Sequence, residues 1–507
     1  MRKSAAAAAA VVAAGAAFAA AALWYRRSSR RWRRAELIMR ELKEPCETSV
    51  ERLWAVADAM ADEMRAGIAS EGRTSLRMIA DPSISLPTGC EEGLFYGLQF
   101  GPASVRMIRL LLGGNDARVV EKEISEVPVP PKLMVGTSEE LYNFIAAELV
   151  KFISTGNANM GPHDGMPGEI GVTFSFPVVQ DLESDYFSVE WTIGFSIKEM
   201  EGRDAVAAMN KALEKHGVEM RISLLANDTV GILAGGRYCC KETVAAVMLG
   251  MKTNAAYTEP FNGENPHNKH RDTIINMELG NFKSPNLPIT EFDTDLDAAS
   301  ANPGEQIFAK LVCGVYLGDI VRRVLLKMAE ETALFGDTIP SKLRIPFVLK
   351  IPDMAAMHQD MSEDLMVVGE KLDQILGIPN TTLRMRKLVF EVCEIVTRRG
   401  AYLAAAGILG ILKKIGKDSA DEKVAVAVEG NIYEHYRLFR EYLHNGVEVM
   451  LRERVATNVV IQHFNDVSRI GAALLSASNS HNELGYSYAD AVKRRVPSET
   501  FNAGITN

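Results

Sequence analysis

Apolar residues recur along this chain with two periods, and the periods predict both helices and strands. Between residues 35 and 78, Leu53, Val56, Met60 and Met64 follow one another at spacings of three or four, as on one face of a helix. Further helices are predicted at residues 138–153, 205–216, 305–334, 382–415 and 470–477. Short apolar runs predict strands at residues 93–101, 105–112, 170–176, 220–226 and 459–461. Helices and strands mix over the whole length, so we expect an α/β fold.

The first 34 residues differ from the rest of the chain. Residues 5–25 contain no charged side chain, and a helix of 21 residues is long enough to cross the hydrocarbon core of a bilayer. Trp24 and Tyr25 end this span, and six arginines follow within ten residues, a pattern that keeps the following chain in the cytosol. We therefore predict a membrane anchor with its basic flank at residues 1–34. A secretory signal peptide is the alternative.

Charge and cysteine content argue against some kinds of function. The chain carries −9, and residues 1–34 hold eight basic and no acidic side chains, so the remainder carries −17. An acidic body argues against nucleic-acid binding. The six cysteines form no Cys-x-x-Cys pair and no zinc-ligand spacing. We therefore expect reduced thiols and no metal held by protein ligands.

A series of short motifs in the body carries a family resemblance. In order they are Phe-Ser-Phe-Pro at residues 174–177, Trp-Thr-Ile-Gly-Phe at 191–195, Asn-Asp-Thr-Val-Gly at 227–231, Leu-Ala-Gly-Gly-Arg-Tyr at 233–238, Asn-Met-Glu at 276–278, Gly-Asn-Phe at 280–282 and Asn-Pro-Gly-Glu-Gln at 302–306. Over residues 37–478 this series resembles the hexokinases, and among them the plant enzymes. Many motifs in the same order, at matching intervals, make the resemblance specific.

The resemblance implies a two-domain fold of the actin-like, sugar-kinase type. In that fold ATP donates its γ-phosphoryl group to the 6-hydroxyl of a hexose, which is bound in the cleft between the domains. The expected segments are the anchor at residues 1–34, a helical segment packing on the large domain at 35–85, a small α/β domain at 86–230 completed by about 456–478, a large α/β domain at 231–455 and a disordered tail at 479–507.

Several residues match functional positions of the family. Asp228 matches the catalytic base, although an isolated Asn-Asp pair would more simply begin a turn. The matching sugar contacts are Thr192, Asn227, Asn254 and Glu278, with Ser175 in the neighbouring strand. The matching nucleotide and phosphate contacts are Gly101, Arg106, Gly250, Thr253 and Ser468. The ligands that the resemblance implies are glucose or fructose, and ATP with Mg²⁺.

The first phosphate motif departs from the family pattern. Where the family has Asp-Leu-Gly-Gly-Thr-Asn-Phe-Arg, this chain has Gln99 for the metal-organising aspartate, Pro102 for a glycine and Ala103 for the threonine. Glutamine removes a negative charge from the surroundings of the cation. Proline has no N–H to offer to a phosphate and cannot adopt glycine's conformations.

Departures also occur in the second phosphate motif, near the nucleotide and at the sugar. In the family's Gly-Thr-Gly-Thr-Asn, Met251 replaces a hydroxyl and Lys252 replaces a glycine, and Val467 replaces a glycine in Asn-Asp-Gly-Ser-Gly. Ile193 replaces the lysine of Trp-Thr-Lys-Gly-Phe, and Ala309 replaces a glutamate. Each lost hydrogen bond to a charged group is worth roughly 1.5–3 kcal/mol.

These departures lead to two main hypotheses. The first is a hexokinase-family protein that is weak or inactive as a kinase and acts as a membrane-anchored, sugar-binding or regulatory protein, for example in sugar sensing. The alternative is an active enzyme that phosphorylates glucose or fructose with ATP in glycolysis. A scaffold that binds neither ligand is a third interpretation. Resemblance to anchored plant hexokinases implies the mitochondrial outer membrane.

Overall fold

A computed structural model describes most of the chain between residues 29 and 480. The described residues are 29–69, 74–81, 84–115, 117–155, 168–176, 178–181, 186–189, 195–197, 204–260, 272–419, 422–451, 456–464 and 467–480. The predicted anchor span at residues 5–25, the candidate sugar contact Thr192 and nearly all of the predicted tail at 479–507 lie outside them.

Helices and strands mix along the chain as the apolar periods predict. The strands are β1 (Ile79–Asp81), β2 (Glu92–Phe100), β3 (Ser104–Gly113), β4 (Ala117–Pro128), β5 (Glu169–Phe174), β6 (Val178–Asp181), β7 (Tyr186–Val189), β8 (Arg221–Asn227), β9 (Thr243–Leu249), β10 (Thr253–Glu259), β11 (Thr273–Asn276), β12 (Val424–Glu429) and β13 (Val459–Gln462). The helices are α1 (29–46), α2 (Val50–Ala69), α3 (Ser138–Thr155), α4 (Ala205–Lys215), α5 (Asp228–Cys239), α6 (Glu291–Ala298), α7 (Ile307–Val312), α8 (Gly314–Thr332), α9 (Ile351–His358), α10 (Met366–Gln374), α11 (Leu383–Lys414), α12 (Asn431–His435), α13 (Arg437–Met450) and α14 (Val467–Asn479). Short 3₁₀ helices lie at Pro131–Met134, Leu279–Asn281 and Ser341–Arg344.

The strands form two main sheets, and five strands of each follow the same spatial order relative to their order in the chain. The small lobe is built on the sheet β4-β3-β2-β5-β8, in which β2, β3 and β4 are antiparallel and β2, β5 and β8 are parallel. The large lobe is built on the sheet β1-β11-β10-β9-β12-β13, which after β1 repeats that pattern. The β2–β3 turn and the β9–β10 turn therefore hold equivalent positions, although the sequence shows no internal repeat.

The large lobe packs around α11, which is largely buried. Ala405 and Leu409 of this helix have no exposed surface. Arg399 is buried in the same helix and forms a two-bond ion pair with Asp293, with nitrogen–oxygen distances of 2.6 and 2.8 Å. Of the helices in the described residues, α11 is the one long and apolar enough to cross a membrane, and its apolar stretch is buried inside the lobe.

Helix α1 begins before the predicted boundary between residues 34 and 35. Its Ile38 is buried in the large lobe. Two arginines of the predicted basic flank also contact the body, because Arg31 pairs with Asp337 at 2.8 Å and Arg34 pairs with Glu331. Part of the arginine cluster thus belongs to a helix that packs on the protein.

Two predicted segments are arranged differently in the structure. A helical segment was predicted for residues 35–85. In the structure its last helix, α2, ends at Ala69, and β1 pairs with β11 at the edge of the large sheet. Residues 456–478, predicted to complete the small domain, are shared between the lobes. β13 pairs with β12 in the large sheet, whereas α14 lies on β2 and β5 of the small sheet. The two parts separate because β13 finds a parallel partner in β12 of the large lobe, whereas the glycines of the small sheet leave room for α14.

Glycines allow α14 to lie directly on α5 and on the small sheet. A Cβ at Gly471 would lie 2.3 Å from the carbonyl oxygen of Gly231, and a Cβ at Gly171 would lie 2.2 Å from that of Ala472. No side chain fits at such distances, so these backbone contacts require glycine. Because α5 begins at Asp228, the contact also sets the position of the candidate base.

We expect Gly471→Ala to lower the free energy of unfolding by about 1–3 kcal/mol, because the added methyl group must push α14 away from α5. Denaturant titration followed by circular dichroism measures this change. The matched control is Gly407→Ala in α11, where the nearest atom to a new Cβ is 3.4 Å away, on Phe308. The control should be neutral or stabilising by up to about 1 kcal/mol. Equal effects of the two substitutions would contradict the assignment.

Candidate active site

Polar side chains of both lobes meet where β5 and β8 end. β8 ends at Asn227, and α5 begins with Asp228. Asn227 caps this helix, since its Oδ1 accepts a hydrogen bond from the Thr229 backbone N–H at 3.0 Å. Its Nδ2 donates to the carbonyl oxygen of Phe176, just after β5, at 3.2 Å. The Asn-Asp pair therefore begins a helix and at the same time brings a carboxylate to the cleft.

Asn254, at the start of β10, links the two lobes through its side-chain amide. Its Nδ2 lies 3.2 Å from Asn227 Oδ1, 2.9 Å from Asn276 Oδ1 and 3.3 Å from Glu278 Oε1. Asn276 Nδ2 also donates to Glu278 Oε1 at 3.0 Å. Asn254 Oδ1 accepts from the backbone N–H of Leu279 at 3.1 Å. These contacts hold three of the predicted sugar contacts in one connected group.

Asn276 is a member of this group that the sequence analysis did not single out. It lies two residues before Glu278 in the Asn-Met-Glu motif, at the end of β11. Its side-chain amide contacts both Asn254 and Glu278, and its place in the same short motif as Glu278 was the available signal. Glu278 itself has a φ of 53°, a left-handed conformation that is uncommon for residues other than glycine. Such backbone conformations cluster at functional sites.

The Asp228 carboxylate is buried, with 5% of the residue exposed. Burial raises its pKa above the ordinary value, while the Lys252 ammonium and hydrogen bonds from the Ser175 and Thr229 hydroxyls oppose that rise. Burial also raises the pKa of Glu278, against the hydrogen bond from Asn276 and the charge of Lys252. A raised pKa suits a carboxylate that accepts a proton.

Lys252 approaches this group from the β9–β10 turn. Its Nζ lies 5.1 Å from the centre of the Phe176 ring, within cation–π distance. Burial lowers the pKa of Lys252, and the carboxylates of Asp228 and Glu278 oppose that decrease. The sequence analysis placed Lys252 among the phosphate positions, whereas the structure directs its ammonium towards the candidate sugar contacts.

The β2–β3 turn holds the first phosphate motif. Gln99 lies opposite Arg106 in the ladder, and its Oε1 accepts a hydrogen bond from Arg106 Nη1 at 2.6 Å. Arg106 also pairs with Glu126 at 3.1 Å. Both side chains are therefore bonded to neighbours in the sheet. Gly101 lies close to Ser175, because a Cβ there would be 3.9 Å from Ser175 Oγ.

The β9–β10 turn holds the second phosphate motif. The Gly250 carbonyl oxygen accepts from the Gly314 N–H at 3.1 Å. Thr253 Oγ1 lies 2.9 Å from Cys313 Sγ, and Met251 is 59% exposed. The structure thus brings Ser175, Asn227, Asp228, Asn254 and Glu278 together, with Gly101, Gly250 and Thr253 around them and Arg106 engaged elsewhere. Thr192 and the side chains of Val467 and Ser468 lie outside the described part of the chain.

Comparison with known proteins gives matches over nearly the whole body. Sequence profiles described as hexokinase match residues 38–238 and 244–478. The chain is 49% identical over 460 residues to Hexokinase-1 of Spinacia oleracea and 50% identical over 462 residues to Hexokinase-1 of Arabidopsis thaliana. These alignments cover 89% of this chain and 92% and 93% of the two relatives. The solved hexokinase of Schistosoma mansoni, complexed with glucose, is 28% identical with a TM-score of 0.75, over 88% of this chain and 99% of that one.

We expect Asp228→Asn to raise the free energy of unfolding at pH 7 by roughly 1 kcal/mol, because it removes a buried charge. The pKa of Asp228 in the folded state is raised above the unfolded value of about 3.9. Ionisation of Asp228 therefore lowers the stability of the unmodified protein as pH rises from the unfolded pKa to the folded pKa. Below that window the carboxyl is protonated in both states and the gain should disappear.

Denaturant titrations at pH 7 and at about pH 3, which lies below the unfolded pKa, measure the two gains. The control is Asp364→Asn, at a carboxylate whose side chain is 67% exposed, which should change stability little at either pH. A loss of stability in Asp228→Asn at pH 7 would show that the charged form of Asp228 stabilises the fold.

Proposed function

This chain belongs to the hexokinase family, and we propose that it binds a hexose in the cleft between its lobes while transferring phosphate weakly or not at all. One contrast within the cleft carries this proposal. The candidate sugar contacts form a connected hydrogen-bond network beside Asp228, whereas Gln99 of the first phosphate turn is bonded to Arg106.

The sugar side of the cleft supports hexose binding. Sugar hydroxyls both donate and accept, and the amides of Asn227 and Asn254 with the carboxylates of Asp228 and Glu278 offer both kinds of partner. Hydrogen bonds within the group hold these side chains in place before a ligand arrives, which lowers the entropy cost of binding. Glucose and fructose are the proposed ligands, and the Schistosoma mansoni relative is complexed with glucose.

The phosphate side of the cleft fits ATP with Mg²⁺ poorly. The side chain of Gln99 carries no charge, and its amide oxygen Oε1 accepts a hydrogen bond from Arg106. Pro102 has no N–H to donate. Losing one preorganised donor can slow catalysis by about 10²–10³-fold, and phosphoryl transfer depends mainly on positioning and charge.

An active hexokinase is the alternative, and one observation favours it. Asp228 lies at the start of α5 with the Ser175 hydroxyl bonded to its carboxylate, so a base for the sugar hydroxyl is in place. Kinase activity would then depend on whether the altered turns still hold the nucleotide. Turnover measurements separate the two functions.

We expect the protein to bind glucose or fructose in calorimetry but to phosphorylate either sugar with ATP and Mg²⁺ at least about 100-fold more slowly than an intact relative. The combined variant Gln99→Asp, Pro102→Gly, Ala103→Thr, Met251→Thr and Lys252→Gly should raise turnover in a coupled assay, because it restores a charge, a backbone donor and two hydroxyls. Adding Asp228→Ala to it should abolish the gain. Ordinary kinase rates in the unmodified protein, lost in Asp228→Ala, would refute the weak-kinase proposal.

We also propose that residues 5–25 anchor the protein in the mitochondrial outer membrane, with the sugar-binding body in the cytosol. A chain beginning at residue 29 keeps α1 intact and should stay in the supernatant after centrifugation with membranes. The full chain should pellet and resist washing with high salt, because burial of an apolar span does not depend on ionic strength. Membrane association of the shortened chain in high salt would place the anchor elsewhere.

A further inference from the structure

Lys252 replaces a glycine of the second phosphate motif, but its ammonium lies beside an aromatic ring and two carboxylates. The family's second phosphate motif has a glycine at this position, at the turn between two paired strands. Here a long cationic side chain leaves the same turn, and it is half-buried. It extends across the cleft, because Phe176, the ring beneath its ammonium, belongs to the small lobe.

The charges around this ammonium come from the large lobe and from α5. Asp228 and Glu278 both interact electrostatically with Lys252, and the buried Cys313 thiol lies on the same side. The buried carboxylate of Asp228 and the half-buried one of Glu278 would repel each other and any further negative group. One cation beside them leaves a net charge of −1 when all three are ionised, which favours a neutral ligand over a phosphate.

An ammonium group and a carboxylate on the same side of a pocket suit a sugar hydroxyl. The ammonium offers three donors and no acceptor, and an ionised carboxylate offers only acceptors. One hydroxyl can therefore accept from Lys252 and donate to Asp228. If Asp228 receives the 6-hydroxyl, as its match to the family's base implies, the electrostatic interaction of Lys252 with that carboxylate makes the lysine a candidate donor to the same hydroxyl.

We propose that Lys252 is a hexose-binding residue that donates a hydrogen bond to the 6-hydroxyl and rests on Phe176 of the opposite lobe. This inference rests on the proposed sugar-binding function. Lys252 then supplies a charged donor in a chain whose sequence has Ile193 and Ala309 where the family has charged sugar contacts. Hexose binding needs no metal or nucleotide in this arrangement.

The test is calorimetric titration of the full chain with glucose and with 6-deoxyglucose at pH 7, without nucleotide or divalent metal. Lys252→Met keeps the length of the side chain and removes its charge, and should weaken glucose binding about tenfold or more. Binding of 6-deoxyglucose should change less than about threefold, because the hydroxyl that Lys252 holds is absent. Lys252→Gly, which restores the family's residue, should give the same pattern if the methionine variant does not fold.

The matched control is Lys241→Met, an exposed lysine at the other end of β9, which should leave binding of both sugars unchanged. Unchanged or tighter glucose binding in Lys252→Met would overturn the inference and leave the proposed sugar-binding function standing. Equal weakening of both sugars would also overturn it, since Lys252 would then act by holding the lobes together. Failure of the unmodified protein to bind glucose or fructose would overturn both proposals.

Discussion

Burial of the Asp228 carboxylate is the constraint on which the rest of the cleft depends. A charge taken out of water needs compensation, and three side chains around Asp228 supply it. The Ser175 and Thr229 hydroxyls donate to the carboxylate, and the Lys252 ammonium lies within electrostatic reach. Two of these side chains, Ser175 and Lys252, are also among those that would hold a sugar.

The position of that carboxylate depends on a backbone contact one helical turn away in α5. Both sheets have the same strand order, and each presents its first hairpin turn to the cleft. α5 follows the last strand of the small sheet and packs on α14, which itself follows the last strand of the large sheet. The glycine contact between Gly231 and Gly471 is therefore a junction of the two lobes, and it positions the helix end that carries Asp228.

The two halves of the cleft differ in the contacts that their side chains make. Amide and carboxylate groups on the sugar side are connected to one another through Asn254. On the phosphate side, Gln99 and Arg106 are bonded across the ladder, and Met251 projects into solvent. Binding of a hexose and transfer of a phosphoryl group share Asp228 but otherwise depend on different side chains. A protein of this fold can therefore retain the first ability while the second declines.

Local properties of the sequence determined the α/β class, the family and most of the candidate sugar contacts. The period of apolar residues shows which face of a helix or strand is buried. Short motifs such as residues 227–231 identify the family from neighbouring residues alone. Tertiary structure decided the rest. The ammonium of Lys252 lies over the ring of Phe176 from the opposite lobe, and the side chain of Gln99 is hydrogen-bonded because the neighbouring strand presents Arg106. Where a side chain points from a turn depends on residues brought near by folding, and periodicity along the chain does not record those contacts.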